Sequence, residues 1–327
     1  QRSMQKSPDS MCCYWLAKSL YHAGKASPET LEQVKNIVTL APHLNTRTEL
    51  LKLLAQLLCE MKDEESAIPV YRKLIELEPE NISNYVLLGQ LYMRLDMEIE
   101  GFSCLGRALS YNSSNPEALL GVGYVMQKNG DHEVAMNKYK ISAVTNEYDG
   151  CLWNNIGMCL YAKGRFVSAI SCLKKSAYLY PLEYKIFYNL GLSHLSMNQL
   201  ASAYHFLSAS LSLKPNEPNV LSILAIVLTK MKDIPNARKA YKKAIENFNP
   251  PNSQTLINYA IFEYNNEKYE DAAEIIVKLK SIRKNIKEGD NQEMIIQSLS
   301  DRLENSLIDK MIELADKEGK EEGETNE

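Results

Sequence analysis

The sequence lacks an apolar run long enough to cross a membrane. Its 327 residues contain no hydrophobic stretch near the roughly 18 residues that a bilayer-spanning helix needs. The first residues, Gln1-Arg2-Ser3, do not begin the hydrophobic segment of a signal peptide. With only 14 Gly and 12 Pro, scattered along the chain, no Pro- or Ser-rich linker separates domains. We therefore expect a soluble, continuous chain with no direct membrane insertion and, because it does not begin with Met, a fragment or processed form.

Catalytic, metal-binding and nucleic-acid-binding signals are missing as well. The seven Cys include no C-x-x-C pair and no His at ligand spacing, which argues against a zinc site and a disulfide framework. The five His have no Ser or Cys at a spacing typical of a nucleophile and its base, and no Gly-rich phosphate loop is present. The net charge of -4 offers no broad basic surface. We predict no enzymatic activity, no cofactor or metal, no nucleic-acid partner, and reduced thiols.

What the sequence does contain is a repeat with a period of 34 residues. A small residue recurs with five spacings of 34 and a last one of 35, which is the tetratricopeptide-repeat (TPR) period. A second small residue follows each of them after twelve positions. The first set is Ala55, Gly89, Gly123, Gly157, Gly191, Ala225 and Ala260, and the second is Ala67, Gly101, Ala135, Ala169, Ala203, Ala237 and Ala272.

These two sets predict where the paired helices cross. Packed helices have their axes about 8–10 Å apart, and side chains larger than Ala at a close crossing would force them apart. Turn residues support the same division, since Gly130, Gly164 and Asn198 share a position at which a helix end needs a left-handed residue. The pattern predicts an all-α fold, a right-handed TPR superhelical solenoid.

The period also predicts the extent of each part of the chain. An irregular N-terminal helical pair is expected over 1–47, and an amphipathic capping helix over 287–318 follows the last repeat. The acidic end, 319–327, is expected to be disordered. About seven TPR helix pairs are expected over 48–286, starting near 48, 82, 116, 150, 184, 218 and 253.

One face of the predicted array carries a candidate protein-binding surface. In a TPR array the first helices of successive pairs line the concave face, and the period places Asn155, Asn189 and Asn258 at one inward position. Asn can bond the backbone of an extended peptide as donor and acceptor, although a solvated Asn is an equally good interpretation. Neighbouring candidates are Asn154, Met158, Tyr161, Tyr188 and Leu192.

Two stretches are more particular than the generic repeat requires. They are Leu152-Trp153-Asn154-Asn155-Ile156-Gly157-Met158-Cys159, with the segment 169–175, and Tyr188-Asn189-Leu190-Gly191-Leu192, with the segment 203–209. Both resemble the Bardet-Biedl syndrome protein four family of TPR subunits, which belong to the ciliary coat complex called the BBSome. The resemblance extends over about residues 82–275.

The resemblance implies a non-enzymatic scaffold needed for BBSome assembly and for trafficking of membrane proteins to and from cilia. It implies other BBSome subunits as partners, together with centriolar satellite and dynein-dynactin components. The implied locations are the cytoplasm, the centrosome and centriolar satellites, the ciliary basal body and the cilium.

The residues alone leave two other functions open. A TPR cochaperone or peptide-tail adaptor would hold a terminal carboxylate with Lys or Arg, whereas the corresponding positions here are Cys151, Asn219 and Ile223. A substrate-selecting TPR array of a larger enzyme would also use an Asn ladder. That function needs a catalytic domain, and none follows residue 290 in this sequence.

Overall fold

The protein is helical throughout the part that its computed structural model describes. This part comprises residues 44–283 and 295–310, together with the helical positions 15, 19, 32, 35 and 36. No strand occurs in these ranges, which confirms the all-α fold class. The predicted tail over 319–327 and nearly all of the predicted pair over 1–47 lie outside the described residues.

First and second helices alternate along the chain and fall into two compact units. Unit one comprises residues 1–163 and contains α1–α7, and unit two comprises 164–327 and contains α8–α15. Odd-numbered helices from α1 to α13 are the first helices of repeats, and even-numbered ones are the second helices. The helices are α1 Leu44–Glu60, α2 Glu64–Leu77, α3 Ile82–Arg94, α4 Glu98–Tyr111, α5 Pro116–Lys128, α6 His132–Thr145, α7 Gly150–Ala162, α8 Phe166–Leu179, α9 Tyr184–Ser196, α10 Leu200–Leu213, α11 Pro218–Lys230, α12 Ile234–Asn247, α13 Ser253–Asn265, α14 Tyr269–Arg283 and α15 over 295–310.

Local capping residues determine where most of the first helices begin. The side chain of Asn81 accepts a hydrogen bond from the backbone N–H of Ser83 (3.2 Å), and Asn115 accepts one from Ala118 (2.9 Å). Such bonds satisfy backbone donors that a helix N-terminus leaves without an intrahelical partner. Pro at the first turn of α5 and α11 costs no hydrogen bond, because those N–H groups have no partner within the helix.

Each turn between a first and a second helix contains one residue in the left-handed conformation. This confirms the turn role predicted for Gly130, Gly164 and Asn198. The following residue closes the turn as in a Schellman motif, for example where the N–H of Asp131 donates to the carbonyl of Met126 (2.9 Å). The seven φ values are 59° at Lys62, 57° at Asp96, 89° at Gly130, 71° at Gly164, 57° at Asn198, 63° at Lys232 and 63° at Glu267.

The backbones of paired helices come into direct contact at the small residues. All fourteen positions of the two small-residue sets are buried. A Cβ added to Gly89 would lie 3.3 Å from the carbonyl oxygen of Gly101, and one added to Gly101 would lie 3.2 Å from that of Gly89. At Gly123 the added atom would lie 2.5 Å from the ring of Tyr139, whose side chain is fully buried. A side chain at Gly89, Gly101 or Gly123 would therefore require these neighbouring atoms to move.

Helix α15 covers the last repeat of unit two. Its Ile296 is buried against Leu256 and Leu279, and its Leu307 is buried against Ala260 and Ile276. Both contacts remove from water an apolar surface that the end of a repeat array would otherwise expose.

Ion pairs between residues 30 positions apart join neighbouring repeats of unit one. The acid stands in the first turn of one second helix, and the base stands at or just after the end of the next first helix. The pairs are Glu64 with Arg94 (3.1 Å), Glu98 with Lys128, and Glu133 with Lys163. Each pair is partly exposed, so we expect at most about 1 kcal/mol from each.

A methyl group at the α5–α6 crossing should destabilise the protein. Gly123→Ala places Cβ against the Tyr139 ring, and we expect a loss of about 1–3 kcal/mol in the free energy of unfolding. Gly106→Ala in α4 is the matched control, because no atom lies within 4 Å of its added Cβ. Alanine there should stabilise the helix by about 0.5–1 kcal/mol. Urea unfolding measures both, and equal stability of the two variants would contradict the close crossing.

Candidate protein-binding surface

The eight candidate residues lie on first helices and are all half-buried. They divide between the two units, four on α7 of unit one and four in unit two. Asn155, Asn189 and Asn258 are each the sixth residue of their helices. Those on α7 are Asn154, Asn155, Met158 and Tyr161, and those of unit two are Tyr188, Asn189 and Leu192 on α9 and Asn258 on α13.

Hydrogen bonds from their own helices hold two of these asparagines in place. The Nδ2 of Asn154 donates to the Oδ1 of Asn155 (3.2 Å), and the Nε2 of Gln254 donates to the Oδ1 of Asn258 (3.2 Å). The hydroxyl of Tyr139, near Asn155, donates to the Oε1 of Gln127 (2.9 Å). Burial raises the pKa of Tyr139, and the side chain of Asn155 offsets part of that rise. An amide that is already oriented loses less conformational entropy when a partner binds.

Tyr188 contributes to the core of unit two as well as to its surface. It packs against the buried cluster that contains Val220 and Leu224. The same repeat position in the next two first helices holds Ser222 and Ile257, and both are buried. Replacing Tyr188 would therefore disturb folding, which makes the other predicted inward residues better probes of this candidate surface.

A cavity occurs twice at equivalent repeat positions, between neighbouring first helices and above a tyrosine of the intervening second helix. The first four residues of the two linings are 170 positions apart, five periods of 34, and the last four are 171 apart. The unit-one pocket, about 270 Å³, is lined by Gln56, Cys59, Glu60, Tyr71, Leu87, Gln90, Leu91 and Arg94. The unit-two pocket, about 220 Å³, is lined by Ile226, Thr229, Lys230, Tyr241, Asn258, Ile261, Phe262 and Asn265. The repeat geometry therefore creates the cavity, whereas the residue types at the lining positions determine its polarity and charge.

The unit-two pocket has a rigid aromatic floor. The rings of Tyr241 and Phe262 are both buried, with centroids 5.4 Å apart. Burial raises the pKa of Tyr241, while a hydrogen bond with Thr229 acts in the opposite direction. Behind the floor, the Nε and one terminal nitrogen of Arg238 donate to the two carboxylate oxygens of Glu263 (2.6 and 2.7 Å). This bidentate pair joins α12 to α13, and the Arg238 guanidinium lies over the Phe262 ring, with its Cζ 5.7 Å from the ring centroid.

Sequence reasoning predicted only one of the eight residues that line the unit-two pocket. Asn258 was among the candidates, whereas Ile226, Thr229, Lys230 and Ile261 were not. The 34-residue period could have identified Ile226 as a candidate, because Ile226 follows the candidate Leu192 by 34 residues. Ile261 follows Ile226 by 35, as Ala260 follows Ala225.

Comparison with known proteins agrees with this architecture. The family model described as "Tetratricopeptide repeat" matches residues 49–81, 152–181 and 184–217. The BBSome complex member bbs-4 of Caenorhabditis elegans is 41% identical over 255 residues, covering 77% of this chain and 55% of that protein. The BBSome complex member BBS4 of Bos taurus is 41% identical over 232 residues, covering 71% and 44%.

The chain is similar to the BBS4 proteins over most of its length. It spans about half the length of the curated relatives that it matches. The homologue from Drosophila melanogaster is 29% identical over 276 residues, covering 81% of this chain and 56% of that protein.

Solved structures of proteins that are not named as BBSome members show the same fold. The pilF protein of Pseudomonas aeruginosa matches with a TM-score of 0.54 and 25% identity, covering 63% of this chain and 93% of that one. The Cut9–Hcn1 assembly of the APC/C matches with a TM-score of 0.65 and 16% identity, covering 92% and 56%. These likenesses support the TPR solenoid fold alone.

Within 44–283 and 295–310, no three His, Cys, Asp or Glu side chains are grouped so as to hold a metal ion, and no helix is long and apolar enough to span a membrane. Cys59, Cys104, Cys151, Cys159 and Cys172 are free thiols, whereas Cys12 and Cys13 lie outside the described residues. Burial raises the pKa of Cys159 to about 11, so this thiol is protonated and unreactive at neutral pH.

Breaking the ion pair behind the pocket floor should weaken unit two. The side chain of Glu263 is fully buried, and Glu263→Gln leaves the Arg238 guanidinium without its counter-charge. We expect a loss of roughly 2–4 kcal/mol in the free energy of unfolding. Glu304→Gln is the matched control, because it removes the acid of the half-exposed Lys280–Glu304 pair and should cost at most about 1 kcal/mol. Thermal unfolding followed by circular dichroism compares the two variants. An equal loss of stability in both would show that the buried ion pair stabilises the protein no more than the exposed pair does.

Proposed function

We propose that this chain is a non-enzymatic, protein-binding scaffold subunit of the BBSome, needed for assembly of the complex and for trafficking of membrane proteins to and from cilia. The observation that carries this proposal is its 41% identity over 255 residues to a protein named as a BBSome complex member. That alignment includes most of the chain, so it extends well beyond the generic requirements of a TPR array.

Features of the described surface support the proposal that this chain binds proteins. First helices that pack side by side leave cavities between them, and the rims of these cavities carry amides and charges above an apolar floor. This combination of a buried aromatic floor and a polar rim is typical of protein-recognition sites. The asparagines at the sixth helix position add hydrogen-bonding groups that can satisfy the backbone of a bound segment.

The partners that follow from the proposal are other BBSome subunits, and the location is the cilium and its basal body. More specifically, the proposal includes centriolar satellite and dynein-dynactin components among the partners, and the cytoplasm, centrosome and satellites among the locations. It includes neither nucleic acid nor direct insertion into a membrane.

The test is co-purification of BBSome subunits with the tagged full-length protein from ciliated cells. The parent protein should recover the other subunits. If it recovers none while it remains folded, membership in the complex is wrong.

The asparagine ladder can be tested in the same experiment. The triple variant Asn155→Ala, Asn189→Ala, Asn258→Ala should recover less of the complex, because each lost neutral hydrogen bond weakens binding by about 0.5–1.5 kcal/mol. Asn216→Ala, in the loop between α10 and α11, is the matched control and should recover as much as the parent. Unchanged recovery by the triple variant, with an unchanged circular dichroism spectrum, would exclude the ladder as a major contact.

A further inference from the structure

The unit-two pocket has a cation at its rim that lacks the partner its counterparts have. Arg94 and Lys128 occupy the same repeat position in unit one, and each pairs with a glutamate 30 residues earlier. The residue 30 positions before Lys230 is Leu200, which carries no charge. Lys230 is exposed, and within the described residues it has no ion-pair partner. The charge of Lys230 is therefore available to a bound molecule.

The walls of the two pockets differ in a related way. Ile226 and Ile261 form the aliphatic walls of the unit-two pocket, and both are half-buried. The equivalent residues of the unit-one pocket are Gln56 and Gln90. An apolar wall that stays in contact with water is unfavourable in an isolated protein and becomes favourable when a partner covers it.

The two pockets also differ in the charged residues of their linings. The position of Lys230 is occupied in the unit-one pocket by Glu60, and the arginine there, Arg94, is neutralised by Glu64. In unit two the carboxylate of Glu263, next to Phe262 of the floor, accepts hydrogen bonds from Arg238 with both oxygens. Lys230 is the one charged residue in the lining of the unit-two pocket.

We propose that the unit-two pocket binds an extended acidic segment of a partner protein. An aliphatic side chain of that segment enters between Ile226 and Ile261, and a carboxylate next to it in the sequence pairs with Lys230. The cavity of about 220 Å³ has the volume of about seven waters at roughly 30 Å³ each, enough for a branched aliphatic side chain.

The rim of the pocket suits such a segment. The amide nitrogen of Asn258 can donate to its backbone, because only the Oδ1 of this residue is engaged, by Gln254. Asn265 lies exposed on the same rim. A neutral or basic segment would leave Lys230 unpaired at a partly desolvated site, which disfavours it. The inference specifies the partner chemistry of the proposed scaffold and depends on that proposal only in taking the partner to be a protein.

The test uses a phage-displayed library of random twelve-residue peptides, selected on the folded chain. Enriched peptides should share an aliphatic residue next to Asp or Glu, and fluorescence anisotropy with the labelled synthetic peptide then measures affinity. Because this probe contains no BBSome subunit, its outcome is independent of the co-purification experiment.

The substitutions that test the proposal introduce residues found at the equivalent positions of the unit-one pocket. Ile226→Gln with Ile261→Gln introduces the wall residues of the unit-one pocket, so folding should be retained, and binding should weaken about tenfold or more. Lys230→Glu introduces the residue found at position 60 and should weaken binding about fivefold or more. The matched control, Gln56→Ala with Gln90→Ala in the unit-one pocket, should bind like the parent.

Circular dichroism establishes that each variant is folded. The proposal is overturned if no peptide is enriched, if the enriched peptides lack acidic residues, or if folded Lys230→Glu binds as tightly as the parent. It is also overturned if the unit-one control loses binding instead.

Discussion

Direct contact between the backbones of paired helices is the constraint on which the rest of this structure depends. A Cβ added to Gly89 or Gly101 would lie 3.3 or 3.2 Å from the carbonyl oxygen of the other residue, and one added to Gly123 would lie only 2.5 Å from the ring of Tyr139. At that distance the two helices need a tight turn, and a left-handed residue supplies it at the same position in every repeat. Because the small residues recur at a fixed period, equivalent positions of different repeats have similar backbone surroundings within each unit.

This repetition explains how one cavity can occur twice with different chemistry. The helix positions that create the cavity are constrained by packing, whereas the rim and wall positions tolerate Gln or Ile, Glu or Lys. Partner choice can therefore vary along the array without a change in fold. The ion pairs that join repeats in unit one also show the effect of such variation, because Leu200 stands where those repeats have an acid and leaves Lys230 without a counter-charge.

Most of the helical pattern could be predicted from the sequence, because small residues at a fixed period have a single physical cause. The turn residues were predictable only at Gly130, Gly164 and Asn198, whose types favour positive φ. At Lys62, Lys232 and Glu267 the tertiary structure imposes the same conformation on residue types that do not favour it, so the sequence does not indicate these turns. Asp96 is of a type that tolerates positive φ, but it was not among the predicted turn residues. The period alone could have extended the candidate Leu192 to Ile226 and Ile261. The unpaired charge of Lys230 could be recognised only by comparing ion pairs between repeats, which requires coordinates.

Amide hydrogen exchange of the full-length protein, alone and in the assembled complex, tests most directly whether the first helices form the partner-binding surface. Binding at this surface should slow exchange in the segments 223–230 of α11 and 258–265 of α13, because a bound segment restricts local opening there. Exchange in the second helices α10 and α12 should remain as it is in the free protein. Protection confined to α10 and α12, with α11 and α13 unchanged, would contradict the account.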